Sequence, residues 1–334
     1  MALTSAQGRA KILGILTTLT NAYPCFSPDV VAGLLAHCRA ALSEVSPELA
    51  TAGVRLLAGH PAGQWPVEWH LPWWLGVSLD LPEELWRRLT VCNLLGLGYA
   101  RWQDQLAEGG SGADAGRGAV LAAALYEGAL AGLAELFVAR PQFWRSRQAI
   151  MAQWLAGLLE DDAALSQPAA RWQEAELLRL ARRGAPLKIT AAGACLLAGR
   201  ADLTGLLEPA LDHLLTAQVL LDHVDDWQDD LAQGRYNVLV AYASELPQDR
   251  AHCEMNQRRV LGLLLLGDPA GYWQHVQHHL AQASALAEAA GIDGLARYVA
   301  SQTREAELGW QDTLKAGRSY LASAVGSVLA PVKK

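Results

Sequence analysis

Apolar residues recur at intervals of three and four along most of the chain, a spacing that suits helices and not strands. Ala and Leu dominate and β-branched residues are sparse, so intrinsic propensity agrees with the pattern. With 334 residues, 51% apolar and 18% charged, the chain can bury a large core. The expected fold class is all-α, a single helical domain over residues 1–334. Gly and Pro clusters mark the expected breaks: His60 to Pro72, Gly109 to Gly118, Pro141, Asp161 to Pro168, Gly184 to Pro186, Gly199, Gly234, Pro247 and Gly267 to Gly271. No fixed period repeats, which argues against a helical solenoid.

A net charge of −7 and the lack of any Lys/Arg run argue against a nucleic-acid surface but leave room for a small anion held through metal cations. The five cysteines are odd in number and free of CxxC spacing, so neither a disulfide framework nor a zinc site is expected. A reducing, cytoplasmic setting follows from that usage. No signal-peptide pattern opens the sequence and no run approaches twenty uninterrupted apolar residues, so a soluble chain without stable membrane insertion is expected. Twelve tryptophans against three phenylalanines is an unusual balance, although large aromatics serve cores first. The GGSGADAGRG stretch reads as a loop, either a lid or a surface linker.

The strongest chemical signal is QVLLDHVDDWQDDLAQGRYN, Gln218 to Asn237, which holds Asp222, Asp225, Asp226, Asp229 and Asp230. On a helix Asp222, Asp226 and Asp230 form one ridge, with Asp229 beside it. A solvated face normally mixes Lys and Glu; this one uses only Asp, a poor helix former with a short, rigid arm. Such carboxylates suit a hard cation such as Mg²⁺, which takes a few protein oxygens and completes its shell with water and phosphate.

These residues resemble the superfamily of class I isoprenoid enzymes: prenyl diphosphate synthases, squalene and phytoene synthases, and terpene cyclases. Gln218, Asp222 and Asp225 match the second Asp-rich motif of prenyl synthases, with Leu221 and His223 departing from it. In a second register Asp226, Asp230 and the following Gly234-Arg235 are similar to the DxxxD and Gly-Arg of squalene and phytoene synthases. Upstream, NLLGLGYARWQDQLAEGG places Asp104, Gln105 and Glu108 where a DDxxD motif has aspartates. Lys188 and Thr190 resemble the Lys-Thr that opens a helix and reaches the diphosphate. The motif-bearing core covers about 71–240, with flanking helices over 1–70 and 241–334.

The resemblance implies a metal set of Asp104, Glu108, Asp222, Asp225, Asp226, Asp229 and Asp230 around Mg²⁺, typically three ions. Lys188, Arg235 and Tyr236 are the implied catalytic residues. Trp74, Trp102, Arg182, Arg183 and Asn237 are the implied contacts to a prenyl diphosphate. No Gly-Gly-Lys-Arg segment and no Arg-Arg pair after the first motif mark a second diphosphate pocket, while HPAGQWPVEWHLPWWLG supplies aromatic faces suited to a carbocation. The expected activity is therefore a class I terpene synthase, which ionises a prenyl diphosphate, cyclises or quenches the cation and releases pyrophosphate. The alternatives are a prenyltransferase, elongating or head-to-head, and a catalytically silent partner subunit of the same fold. A homodimer is a further expectation of the class.

Overall fold

A computed structural model describes residues 23–59, 61–63, 65–107, 115–164, 174–246, 248–249, 251–266 and 270–329. Among them no strand occurs, and the all-α expectation holds. The α-helices are α1 (Pro28–Val45), α2 (Pro47–Ala58), α3 (Pro66–Ser78), α4 (Glu83–Ala107), α5 (Ala115–Leu136), α6 (Pro141–Ala164) and α7 (Glu174–Leu177). They continue with α8 (Leu187–Leu197), α9 (Thr204–Gln233), α10 (Val238–Ala243), α11 (Cys253–Leu266), α12 (Ala270–Ala289) and α13 (Asp293–Leu329). A 3₁₀ segment, Leu178–Gly184, leads into α8.

Four of these helices begin on a proline, whose missing N–H falls among the donors that a first turn leaves unsatisfied anyway. The helix α8 sits at the centre, packed by α3, α4, α6 and α9. Its LKITAAGACLL sequence explains the position: small side chains let four neighbours approach, and at Gly193 an added Cβ would lie 3.0 Å from Phe137 Cζ. One apolar cluster joins α8 to α3, α9, α12 and α13. A second fills the space among α1, α2, α4 and α5. By length and composition Gly116–Leu136 could cross a membrane; in this fold it lies along α4.

The structure departs from the expected break over His60 to Pro72. There α3 starts at Pro66 and continues through Pro72 to Ser78. A proline inside a helix cannot donate to the carbonyl four residues back, here Glu68. Asn93 of α4 fills that vacancy, donating from Nδ2 to Glu68 O at 2.5 Å, while its Oδ1 accepts from Thr190 Oγ1 of α8. The buried amide thus stitches three helices together. Asn93→Leu should therefore lower stability by roughly 2–4 kcal/mol, measured by urea unfolding, because it orphans a carbonyl and a hydroxyl at once. An unchanged midpoint would show that the carbonyl finds another donor.

Candidate functional site

The last turn of α4 carries Asp104, and Arg183 of the 3₁₀ segment approaches it, Nε to Oδ1 at 3.8 Å. That segment packs on α6 and α9. Burial, with the Arg183 charge adding to it, pushes His223 of α9 down to about 3. The charge of one guanidinium is therefore felt both at the first acidic motif and on the helix that carries the second. The His223 ring is neutral, and its Nδ1 accepts from Val238 N at 3.1 Å. Asp226 follows His223 by three residues, so it shares the same helix face one turn further on.

The aspartates of α9 divide by environment. Asp222, Asp225 and Asp229 are exposed, Asp226 is half-buried, and Asp230 is buried. Asp222 lies close enough to Tyr272 of α12 to help raise that phenol, after burial and Tyr236. Asp230 is engaged within the protein: its Oδ1 meets Arg235 Nη2 at 2.9 Å and its Oδ2 accepts from Asn237 Nδ2 at 2.8 Å. Gly234, at φ +70°, turns the chain out of α9 in the left-handed conformation, and Arg235 N donates back to Asp230 O at 2.8 Å.

Asn237 then caps α10 through its Oδ1, donates to His223 O at 3.0 Å and exchanges two hydrogen bonds with Gln248. So Asp230, Arg235 and Asn237 hold the turn after α9. Tyr236 beside them is half-buried and packs on the main core.

The other residues singled out in the sequence are dispersed. Lys188, 3% exposed, donates to Asp212 Oδ1 at 2.7 Å and Gln153 Oε1 at 2.8 Å. Asp212 precedes Asp222 by ten residues, about 15 Å along the helix. Trp74 is buried among Tyr23, His70 and Tyr298 and donates to Pro24 O, so it packs the core. Trp102 lies across Gly118 of α5, where an added Cβ would be 1.7 Å from its Cζ2. The backbone of Arg182 packs against Gly157 of α6, beside the Arg183 bridge. Glu108 and most of the GGSGADAGRG loop lie outside the described residues.

Two cavities flank α4. One, partly open, lies between α2, α3 and α4 and is walled by Trp65, Trp69 and Trp102, with Arg101 over the Trp65 ring at 3.5 Å and paired to Glu68. The other, also partly open, lies among α4, α5, α6 and α8. Its walls run along α4 from Leu89 to Ala100, about 16 Å. Ala100 lies one turn below Asp104, so this second cavity reaches towards the acidic end of α4.

Among the described residues no three His, Cys, Asp or Glu side chains converge on a point that could hold one ion. Mg²⁺ held by one or two carboxylates together with substrate phosphate oxygens needs no such cage. The all-oxygen donors of Asp104, Asp222, Asp225, Asp226 and Asp229 fit that mode, and Asp230 fits it less well because its oxygens already have partners.

Sequence reasoning missed a histidine cluster. His213 of α9 and His279 of α12 approach at 2.8 Å, Nδ1 to Nδ1, with His278 and Glu174 beside them. The spacing of His275, His278 and His279 signals a shared helix face, but the partner on α9 is a tertiary fact. Burial holds His279 and His70 down to about 4 and His223 to about 3. The fold therefore favours neutral rings, while the unfolded chain takes up protons below about 6.5. Stability is full above that pH and is lost as pH falls towards 4. The melting temperature should drop by about 10 °C or more between pH 7.5 and pH 5, a fall that scanning calorimetry would read. A flat profile would mean that these rings titrate normally.

Comparison of the sequence with known family models gives no match, and comparison with curated proteins gives none either.

Proposed function

We propose that the chain is a class I isoprenoid enzyme, a terpene synthase that binds a prenyl diphosphate between the end of α4 and the acidic turns of α9. The observation that supports the reading is the approach of Arg183 to Asp104 at 3.8 Å, from a segment that packs on α9 and whose Arg183 charge is felt at His223. Asp104 on one side and Asp222, Asp225 and Asp226 on the other would hold Mg²⁺, which supplies neutralisation of diphosphate charge when bound. Arg183, with Arg182 next to it, offers donors for phosphate oxygens and so favours departure of the leaving group. The cavity one turn below Asp104 is lined by Leu89, Cys92, Leu130, Leu133 and Ile189, an apolar wall of the kind a hydrocarbon chain packs against. An apolar chain with its head at Asp104 would extend into it and lose water there.

The reading is tested by incubating the protein with geranyl, farnesyl or geranylgeranyl diphosphate and Mg²⁺ and measuring pyrophosphate. Release with one of them, abolished by EDTA, supports it. No release with any of the three would overturn it.

A further inference from the structure

The cavity among α4, α5, α6 and α8 is more polar in one corner than a hydrocarbon chamber needs to be. Arg147 and Trp154, seven residues apart on α6 and therefore on one face with Met151 between them, both line it. Trp154 is fully buried, and its Nε1–H has no acceptor among the described residues. The Arg147 Nε–H is likewise buried without an acceptor. Arg147 donates through Nη2 to Tyr126 Oη at 3.0 Å and lies over the Tyr126 ring at 5.6 Å, but no carboxylate among the described residues pairs with it. Tyr99 closes the corner, 4.8 Å from Tyr126 and 5.8 Å from Trp154 between ring centroids.

A buried N–H without a partner costs roughly 1–3 kcal/mol. Two such donors in one cavity wall define a receptor for an acceptor oxygen, and the charge on Arg147 selects a negative one. The remaining wall carries Asn93 and Thr190, hydrogen-bonded to each other, beside the apolar Leu89, Cys92, Leu130 and Leu133.

We infer that this cavity receives the oxyanion of an apolar ligand, a carboxylate or phosphate at the end of a hydrocarbon chain, at Arg147 and Trp154. The inference goes beyond the diphosphate reading and does not depend on it, since neither metal nor the aspartates take part.

The test is calorimetric titration in EDTA with three probes of one chain length: dodecanoate, dodecyl phosphate and dodecan-1-ol. Wild type should bind at least one of the two anions about tenfold or more tightly than the alcohol, and which anion is tighter identifies the head group. Arg147→Met should remove that preference while leaving alcohol binding within about twofold, and Trp154→Phe should weaken anion binding by a smaller factor. Equal affinity for the alcohol and both anions would overturn the proposal, as would a preference that survives Arg147→Met. The wild-type comparison needs no variant, so a substitution that fails to fold leaves the test intact. Because EDTA is present throughout, failure here is separate from failure of pyrophosphate release.

Discussion

Lys188→Met should lower stability by about 2–4 kcal/mol, and the melting temperature by roughly 5–10 °C, as read by thermal unfolding at neutral pH. Lys188 is buried on α8, and its ammonium sits on Asp212 and Gln153. Removing it strands the Asp212 carboxylate next to Glu208, one turn away, whose own pKa burial already raises. A fully buried pair broken this way costs more; the 30% exposure of the Asp212 side chain lets water recover part of the loss. If the side chain instead reached a diphosphate, as its resemblance to the Lys-Thr of prenyl synthases implies, the same substitution would cut turnover and leave the melting temperature in place. The two outcomes are opposite, which makes this residue a sharp test of which role it has.

The aspartates of α9 should separate in a similar way. Asp226→Ala should reduce pyrophosphate release at least tenfold, about 1.4 kcal/mol or more of transition-state stabilisation, with unfolding little changed. Asp226 is half-buried, one turn from His223, where the Arg183 charge is felt. Asp230→Ala should do the reverse, lowering stability by about 2–3 kcal/mol because Arg235 and Asn237 both lose an acceptor inside the turn that closes α9. Turnover and melting temperature measured on both variants decide the matter. Equal loss of both quantities in the two proteins would mean that the ridge acts as one unit.

The helices were legible in the sequence because period and propensity agree, and breaks at Pro141, Gly184 to Pro186, Gly199 and Gly234 stand where expected. At Pro72 the local rule failed for a tertiary reason: Asn93, on another helix, supplies the donor that the proline removes. Site residues were legible as types and less so as roles. The i, i+4 ridge on α9 follows from spacing, yet spacing cannot tell that Asp230 is buried against Arg235 and Asn237 while Asp222, Asp225 and Asp229 are exposed. Trp74 has the size and position of a cavity wall in sequence; in the fold it faces Tyr298. Arg147 carried no motif at all, and its interest comes from the lack of a carboxylate partner among the described residues, which is visible only once α4, α5, α6 and α8 are assembled.

Binding of Mn²⁺ in the presence of inorganic pyrophosphate, followed by electron paramagnetic resonance, tests the central claim most directly, because it asks whether Asp104 and the α9 aspartates hold metal and diphosphate together. The expected result is weak Mn²⁺ binding to the protein alone, marked tightening when pyrophosphate is added, and loss of that tightening in both Asp104→Ala and Asp226→Ala. Mn²⁺ affinity that pyrophosphate leaves unchanged, or a tightening that both variants retain, would contradict the account.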